Sequence, residues 1–141
     1  MKLVKRELSV SQKAHEFADC LDRGKYHDLW RMMDRDCTYS KGDDLMYGAM
    51  SICNAYEANI RQMQNELEEF RWDNSRVSEM ENNTFLIHLS DHLKQNGRTY
   101  VHKSTLRIMF NEPGLIYAIE HIDEPEEMRD LEKFLQETGM L

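Results

Sequence analysis

The chain has 141 residues, 40% hydrophobic and 31% charged, a length and balance that fit one soluble globular domain able to bury roughly two thirds of its unfolded surface. Its net charge of -8 argues against nucleic acid or an anionic membrane as the main partner, and no apolar run reaches transmembrane length. The basic start, Met1–Arg6, is followed by no apolar stretch and does not read as a signal peptide.

Ser9 with Gln12 has capping-box spacing, and Ser11 is an equally good N-cap. Ala14, Phe17, Ala18 and Leu21 then recur at helical spacing up to Gly24, which suits a C′ position. A short second helix follows, with Leu29, Trp30 and Met33 on one side. Asp36 to Ser40 is β-prone, and Lys41-Gly42-Asp43-Asp44 reads as a turn. From Gly48 a long helix carries Ala49, Ile52, Cys53, Tyr56, Ile60, Met63, Leu67 and Phe70 as one apolar stripe. Arg71 to Met80 is expected as one strand with room for a bulge, ended by a turn at Glu81-Asn82-Asn83.

Asn96-Gly97 is the sharpest local signal. It separates two alternating segments, as a two-residue type I′ hairpin requires. Such a loop fixes the register. Gln95 faces Arg98, Leu93 faces Tyr100, Asp91 faces His102, Leu89 faces Ser104, Ile87 faces Leu106 and Phe85 faces Ile108. That face is mostly apolar, whereas the other carries His88, Ser90, His92, Val101, Lys103, Thr105 and Arg107. Asn111-Glu112-Pro113-Gly114 turns the chain into Leu115–Asp123. Pairing Phe110 with Leu115 sets Ile108 against Tyr117, Leu106 against Ile119, Ser104 against His121 and His102 against Asp123. Pro125, Glu126 and Glu127 open a last helix, with Met128, Leu131 and Leu135 facing the body and Gly139 ending it.

Three helices, a mostly antiparallel sheet and a C-terminal helix make an α+β domain, with the helices covering one face of a curved sheet. The ionisable pair Asp91 and His102 on the apolar face suggests a pocket. An aspartate against a histidine fixes the ring tautomer and raises its basicity, as a general base requires. Candidate catalytic residues are thus His102, Asp91, His121 and Asp22. Tyr100, Ser104, Tyr117, Leu89, Leu106 and Ile119 are candidate ligand contacts. The competing reading of Asp91 and His102 is an ordinary cross-strand polar pair at an open rim. Asp123, so close to Pro125, is read as the cap of the last helix. No motif spacing marks Asp91, His102 and His121 as a metal site, so neither metal nor cofactor is expected. Cys20, Cys37 and Cys53 are an odd number without close spacing, which suits free thiols in a reducing, cytoplasmic setting. Asn82-Asn83-Thr84 matches the glycosylation triplet, a chance match in that setting.

The order of elements resembles the nuclear transport factor 2-like (NTF2-like) superfamily, and within it the SnoaL-like proteins. Phe17 to Trp30, with Leu21-Asp22-Arg23-Gly24 inside it, is similar to the family's first helix, its break and its second helix. Asp34–Tyr39 resembles its first strand, and Gly48–Ile52 the start of its long helix. Asn96-Gly97-Arg98 and the strands after it resemble its last hairpins, with His121 matching a histidine of the final strand. The resemblance covers nearly the whole chain. It implies a single conical domain over residues 1–141 with a small-molecule pocket, often in a homodimer. Its enzymes include steroid isomerases, scytalone dehydratase, epoxide hydrolases and polyketide cyclases, and its non-enzymes include dioxygenase small subunits. Asp22 matches the dehydratase aspartate that supports a catalytic histidine, but the tyrosine before it there is Leu21 here. The steroid-isomerase positions fall near Phe17, Lys41 and Leu106, which cannot do that chemistry. The expectation is a cofactor-free lyase or isomerase with a His–Asp base acting on a small apolar or aromatic ligand. The alternative is a non-catalytic dimerisation or accessory module.

Overall fold

The computed structural model describes residues 8–141, so the basic segment Met1–Arg6 lies outside the described residues. Helix α1 (Val10–Asp22) starts at Ser9, whose side chain and that of Gln12 make the reciprocal capping box. Ala14, Phe17, Ala18, Cys20 and Leu21 form its buried face. Helix α2 (Tyr26–Leu29) is one turn and runs into a 3₁₀ turn over Trp30–Met32. Trp30 is exposed, so only Leu29 and Met33 of that expected face are buried.

Strand β1 (Met33–Lys41) turns at Gly42 into β2 (Asp44–Tyr47), an edge strand that the sequence reads only as turn. Helix α3 (Ala49–Glu66) begins after its N-cap Gly48 and ends two stripe positions early. Leu67 is its C-cap and Phe70 already belongs to β3 (Glu69–Trp72). The expected single strand 71–80 is two, β3 and β4 (Arg76–Glu79), both paired with β5 (Thr84–Gln95). The break has a physical cause. Asp22 Oδ2 accepts from Ser75 N at 2.9 Å and from Ser75 Oγ at 3.0 Å, and Trp72 Nε1 donates to the Asp22 carbonyl at 2.9 Å. The segment is tied to the end of α1 rather than to the ladder.

Strands β5 and β6 (Arg98–Phe110) pair in the expected register throughout, from Gln95 opposite Arg98 to Phe85 opposite Ile108. Asn96 and Gly97 have φ of 49° and 73°, the left-handed pair of a type I′ turn. Strand β7 (Ile116–Ile122) departs from expectation by two residues: Leu106 pairs His121 and Ile108 pairs Ile119. The shift comes with an irregularity between Met109 and Phe110, where Tyr117 has no partner. A slip of two keeps side chains on their face. Tyr117 is the exception: as the unpaired residue of the irregularity it leaves the inner face and stands 46% exposed.

The sheet order is β2-β1-β7-β6-β5-β3, with β4 also on β5, and only β1 against β7 is parallel. At one end Phe17, Phe85, Ile87, Leu106, Ile108, Ile116 and Ile119 fill the space between helices and sheet. At the other end helix α4 (Pro125–Glu137) closes the cone. Phe134 of α4 packs with Leu67 and Leu93 in a second apolar cluster that includes Leu131 and Leu135. Burying a side chain such as Phe134 contributes roughly 1.5–3 kcal/mol, enough to seat a helix with few other contacts. Met128 stays exposed instead of facing the body. No helix among the described residues is long and apolar enough to cross a membrane.

Candidate functional site

Between the filled core and α4 lies a cavity of about 470 Å³, within the range of small-molecule sites. Its wall comes from α1 (Leu21, Asp22), α2 (Tyr26), β1 (Tyr39, Lys41), α3 (Ile52, Tyr56, Ile60, Met63), β3 (Phe70, Trp72), β5 (Leu89, Asp91, Leu93), β6 (His102, Ser104, Leu106), His121 of β7 and Leu131 of α4. Strand alternation explains the selection: odd positions of β5 and even positions of β6 point inward together.

His102, Asp91, His121, Asp22, Ser104, Leu89 and Leu106 all line this cavity, as the sequence suggests. Three expected contacts do not. Tyr117 is outside. Ile119 is buried in the filled core opposite Ile108. Tyr100 stands behind the wall, its ring stacked on Phe134 at 5.6 Å between centroids. Asp22 reaches the cavity, but its carboxylate is engaged by Ser75 and makes no hydrogen bond to His102.

Asp123 corrects the largest misassignment. Glu124, not Asp123, is the N-cap of α4. Asp123 instead turns inward, 7% exposed, and its Oδ1 accepts from His102 Nε2 at 3.3 Å and from His121 Nε2 at 3.1 Å. Lys41 Nζ lies 3.7 Å from the other carboxylate oxygen. The remaining ring nitrogens are also taken. Tyr39 Oη donates to His121 Nδ1 at 2.8 Å, and Tyr100 Oη is 3.1 Å from His102 Nδ1. The single hydroxyl proton of Tyr100 has the carbonyl and Oε2 of Glu127 as alternative acceptors, each at 3.1 Å. A continuous polar chain thus runs Tyr39–His121–Asp123–His102–Tyr100–Glu127. Burial holds His121 below the usual histidine range, with Lys41 and His102 adding to the effect and Asp123 opposing it. A neutral His121 that donates from Nε2 accepts at Nδ1, which matches its two partners.

Asp91 behaves differently. It lies opposite His102 on the ladder, yet no hydrogen bond reaches its carboxyl from any described residue. Burial pushes that carboxyl up to about 6, against the pull of His102 and His92 and with Asp123 adding to the rise. Asp91 therefore does not orient His102; Asp123 and Tyr100 do. Both imidazoles have every nitrogen engaged within the protein, whereas Asp91 has its oxygens free. Tyr56 Oη is buried without a hydrogen-bond partner beside Tyr39, whose hydroxyl burial raises to about 12.

Tyr39 escapes sequence reasoning, and Lys41 enters it only as the residue near the steroid-isomerase base position, because only the parallel pairing of β1 with β7, Lys41 opposite His121, brings them here. On the outer face His88 bonds Ser78 Oγ and His92 bonds Asp73, away from this chain of contacts. Among the described residues no group of three or more His, Cys, Asp or Glu side chains is disposed to hold a metal ion.

No family model matches the sequence, and no curated protein matches it. Solved structures do. An NTF2-like protein of unknown function from Burkholderia pseudomallei superimposes with a TM-score of 0.64 at 17% identity, over 88% of this chain and 98% of that one. A candidate polyketide cyclase from Xanthomonas campestris pv. campestris gives 0.61 at 13% identity, over 84% and 93%. SalBIII, an epoxide hydrolase/cyclase-like enzyme of pyran ring formation in salinomycin, gives 0.64 at 11% identity, over 84% and 92%. The chain has the NTF2-like α+β cone fold; identities this low carry the fold and not the reaction.

Proposed function

We propose that the cavity binds a small, mostly apolar molecule and that Asp91 moves a proton on it, making the protein a cofactor-free lyase or isomerase. One observation carries this reading: a carboxyl without a partner, titrating at about 6, on the wall of a largely apolar cavity. A carboxylate in such a place is a stronger base than one in water and still ionises near neutral pH. General acid–base catalysis of this kind contributes about 10²–10⁴-fold in rate. His102 is given a positioning and electrostatic role, since Asp123 and Tyr100 already hold both its nitrogens. The fold shared with a candidate polyketide cyclase and a cyclase-like enzyme supports a small organic molecule as the occupant of the cavity.

The test needs no known substrate. The protein is incubated in deuterium oxide with cyclohexenone, α-tetralone and β-tetralone, and deuteration next to the carbonyl is followed by NMR. Exchange by the wild type that Asp91→Asn abolishes is the expected result. Exchange that survives in Asp91→Asn overturns the assignment of the base. No exchange with any of the three ketones overturns the catalytic reading.

A second reading is a non-catalytic module that pairs with itself or a larger enzyme through the outer sheet face. Val101 and Tyr117, 40% and 46% exposed on that face, favour it. Sedimentation of the wild type against Val101→Lys and Tyr117→Lys variants tests it; a monomer in all three rejects self-pairing. The free, buried thiols of Cys20, Cys37 and Cys53 support a reducing, cytoplasmic setting for either reading.

A further inference from the structure

The charges around the cavity are lopsided. Asp22, Asp73 and Asp91 are among the residues that line it, whereas Lys41 is the only lysine or arginine among the described residues that do. The Lys41 ammonium is already paired with Asp123. Asp22 is engaged by Ser75, and Asp73 by His92 at 2.9 Å. That leaves Asp91 as the carboxylate on the wall without a hydrogen-bond or ion-pair partner among the described residues, with only the longer-range pull of His102 and His92 on it. A ligand carrying a carboxylate or phosphate would add a negative charge to three others and find no free cation.

The aromatic lining points the same way. Tyr26, Tyr39, Tyr56, Phe70 and Trp72 turn toward the same space. Ring faces attract cations, and more strongly where water is excluded. A carboxylate in an apolar cavity is costly to ionise unless it is paired. A cation supplied by a ligand would relieve that cost, and the chain's overall charge of -8 draws cations in.

We infer that the ligand of this cavity is a lipophilic amine, whose protonated nitrogen pairs with Asp91 while its apolar body lies against Leu21, Leu89, Leu106 and the aromatic rings. This rests on the same free carboxyl as the proposed function, and it names the class of molecule that carboxyl meets. The titratable groups that act on Asp91 are His102, Tyr26 and Asp123, with His92 on the outer face of the same strand. None of them donates a hydrogen bond to it. Binding of the amine holds Asp91 ionised, so affinity increases as pH rises through the range in which Asp91 otherwise takes up a proton.

The test uses three probes of one shape: naphthylmethylamine, naphthylmethanol and naphthoic acid, titrated calorimetrically into the full chain near neutral pH. The amine is expected to bind at least about tenfold tighter than the alcohol, and the acid weakest. Asp91→Asn, an isosteric change whose fold is checked by circular dichroism, brings amine and alcohol to within about threefold. Equal binding of amine and alcohol by the wild type overturns the inference. So does tightest binding of the acid, an amine preference that persists in Asp91→Asn, or failure of all three to bind at millimolar concentration. The two ideas fail separately. Ketone exchange that requires Asp91, combined with equal binding of amine and alcohol, rejects the amine and leaves the acid–base reading standing. Amine preference without ketone exchange does the reverse.

Discussion

Asp123 Oδ1 lies 3.3 Å from His102 Nε2, although 21 residues separate them and neither belongs to a recognisable motif. The same oxygen serves His121, so one carboxylate orients two imidazoles. Replacing Asp123 with Ala leaves two buried ring N–H groups unpaired and frees Lys41. The expected loss of stability is about 2–4 kcal/mol, read from urea unfolding. A loss below about 0.5 kcal/mol would mean that the contact does not hold the wall together.

Asp91→Asn should behave in the opposite sense and only at higher pH. Folding raises the Asp91 pKa from 3.8 to about 6, so between those values the folded chain holds a proton that the unfolded chain has released. Stability therefore falls as pH rises through this window. The penalty is absent below it and full above it, with a size of roughly 2–3 kcal/mol. Asn removes the penalty. Unfolding midpoints should be higher for the variant above pH 6 and should converge with the wild type near pH 4. A variant destabilised at both values would place Asp91 in a paired environment instead.

Leu89→Trp should fill the cavity at little cost to the fold, because an indole there enters open space rather than packed core. Binding of the naphthyl probes should vanish while the unfolding free energy stays within about 1 kcal/mol of the wild type. Undiminished binding would put the ligand elsewhere.

Tyr100→Phe keeps the ring stacked on Phe134 but removes the hydroxyl shared by His102 and Glu127. Helix α4 should loosen by about 1 kcal/mol. Hydrogen exchange followed by mass spectrometry should show faster exchange over residues 125–137, with the β5–β6 ladder unchanged. Faster exchange spread evenly over the chain would assign Tyr100 a global role.

What was legible in the sequence follows from how each feature is encoded. Asn96-Gly97 carries its own geometry, so twelve residues of β5 pair with β6 as counted. The turn at 111–114 does not fix a register in the same way, and the irregularity at Tyr117 moved β7 by two residues. The long helix could be read from its stripe but not its end, since Leu67 and Phe70 keep the spacing after the backbone has left the helix. Asp91, His102 and His121 were found because alternation sorts one sheet face from the other. The role of Asp123 was missed because a polar residue two places before a proline has the look of a cap, and only the folded chain shows Glu124 in that place. Tyr39 had no local signal at all.

The bond from Tyr39 to His121 spans 82 positions, and it depends on β1 lying parallel to β7. During synthesis the first strand pairs early with β2 on one side, but its other side must wait until β7 has emerged. Contacts of such separation pay their loop-closure entropy before they return any stability. The β5–β6 hairpin is free of that delay. The polar wall should therefore assemble last, on a hairpin already formed, and a ribosome-bound chain lacking the last strand would carry Asp91 and His102 facing each other without the aspartate that orients the histidine.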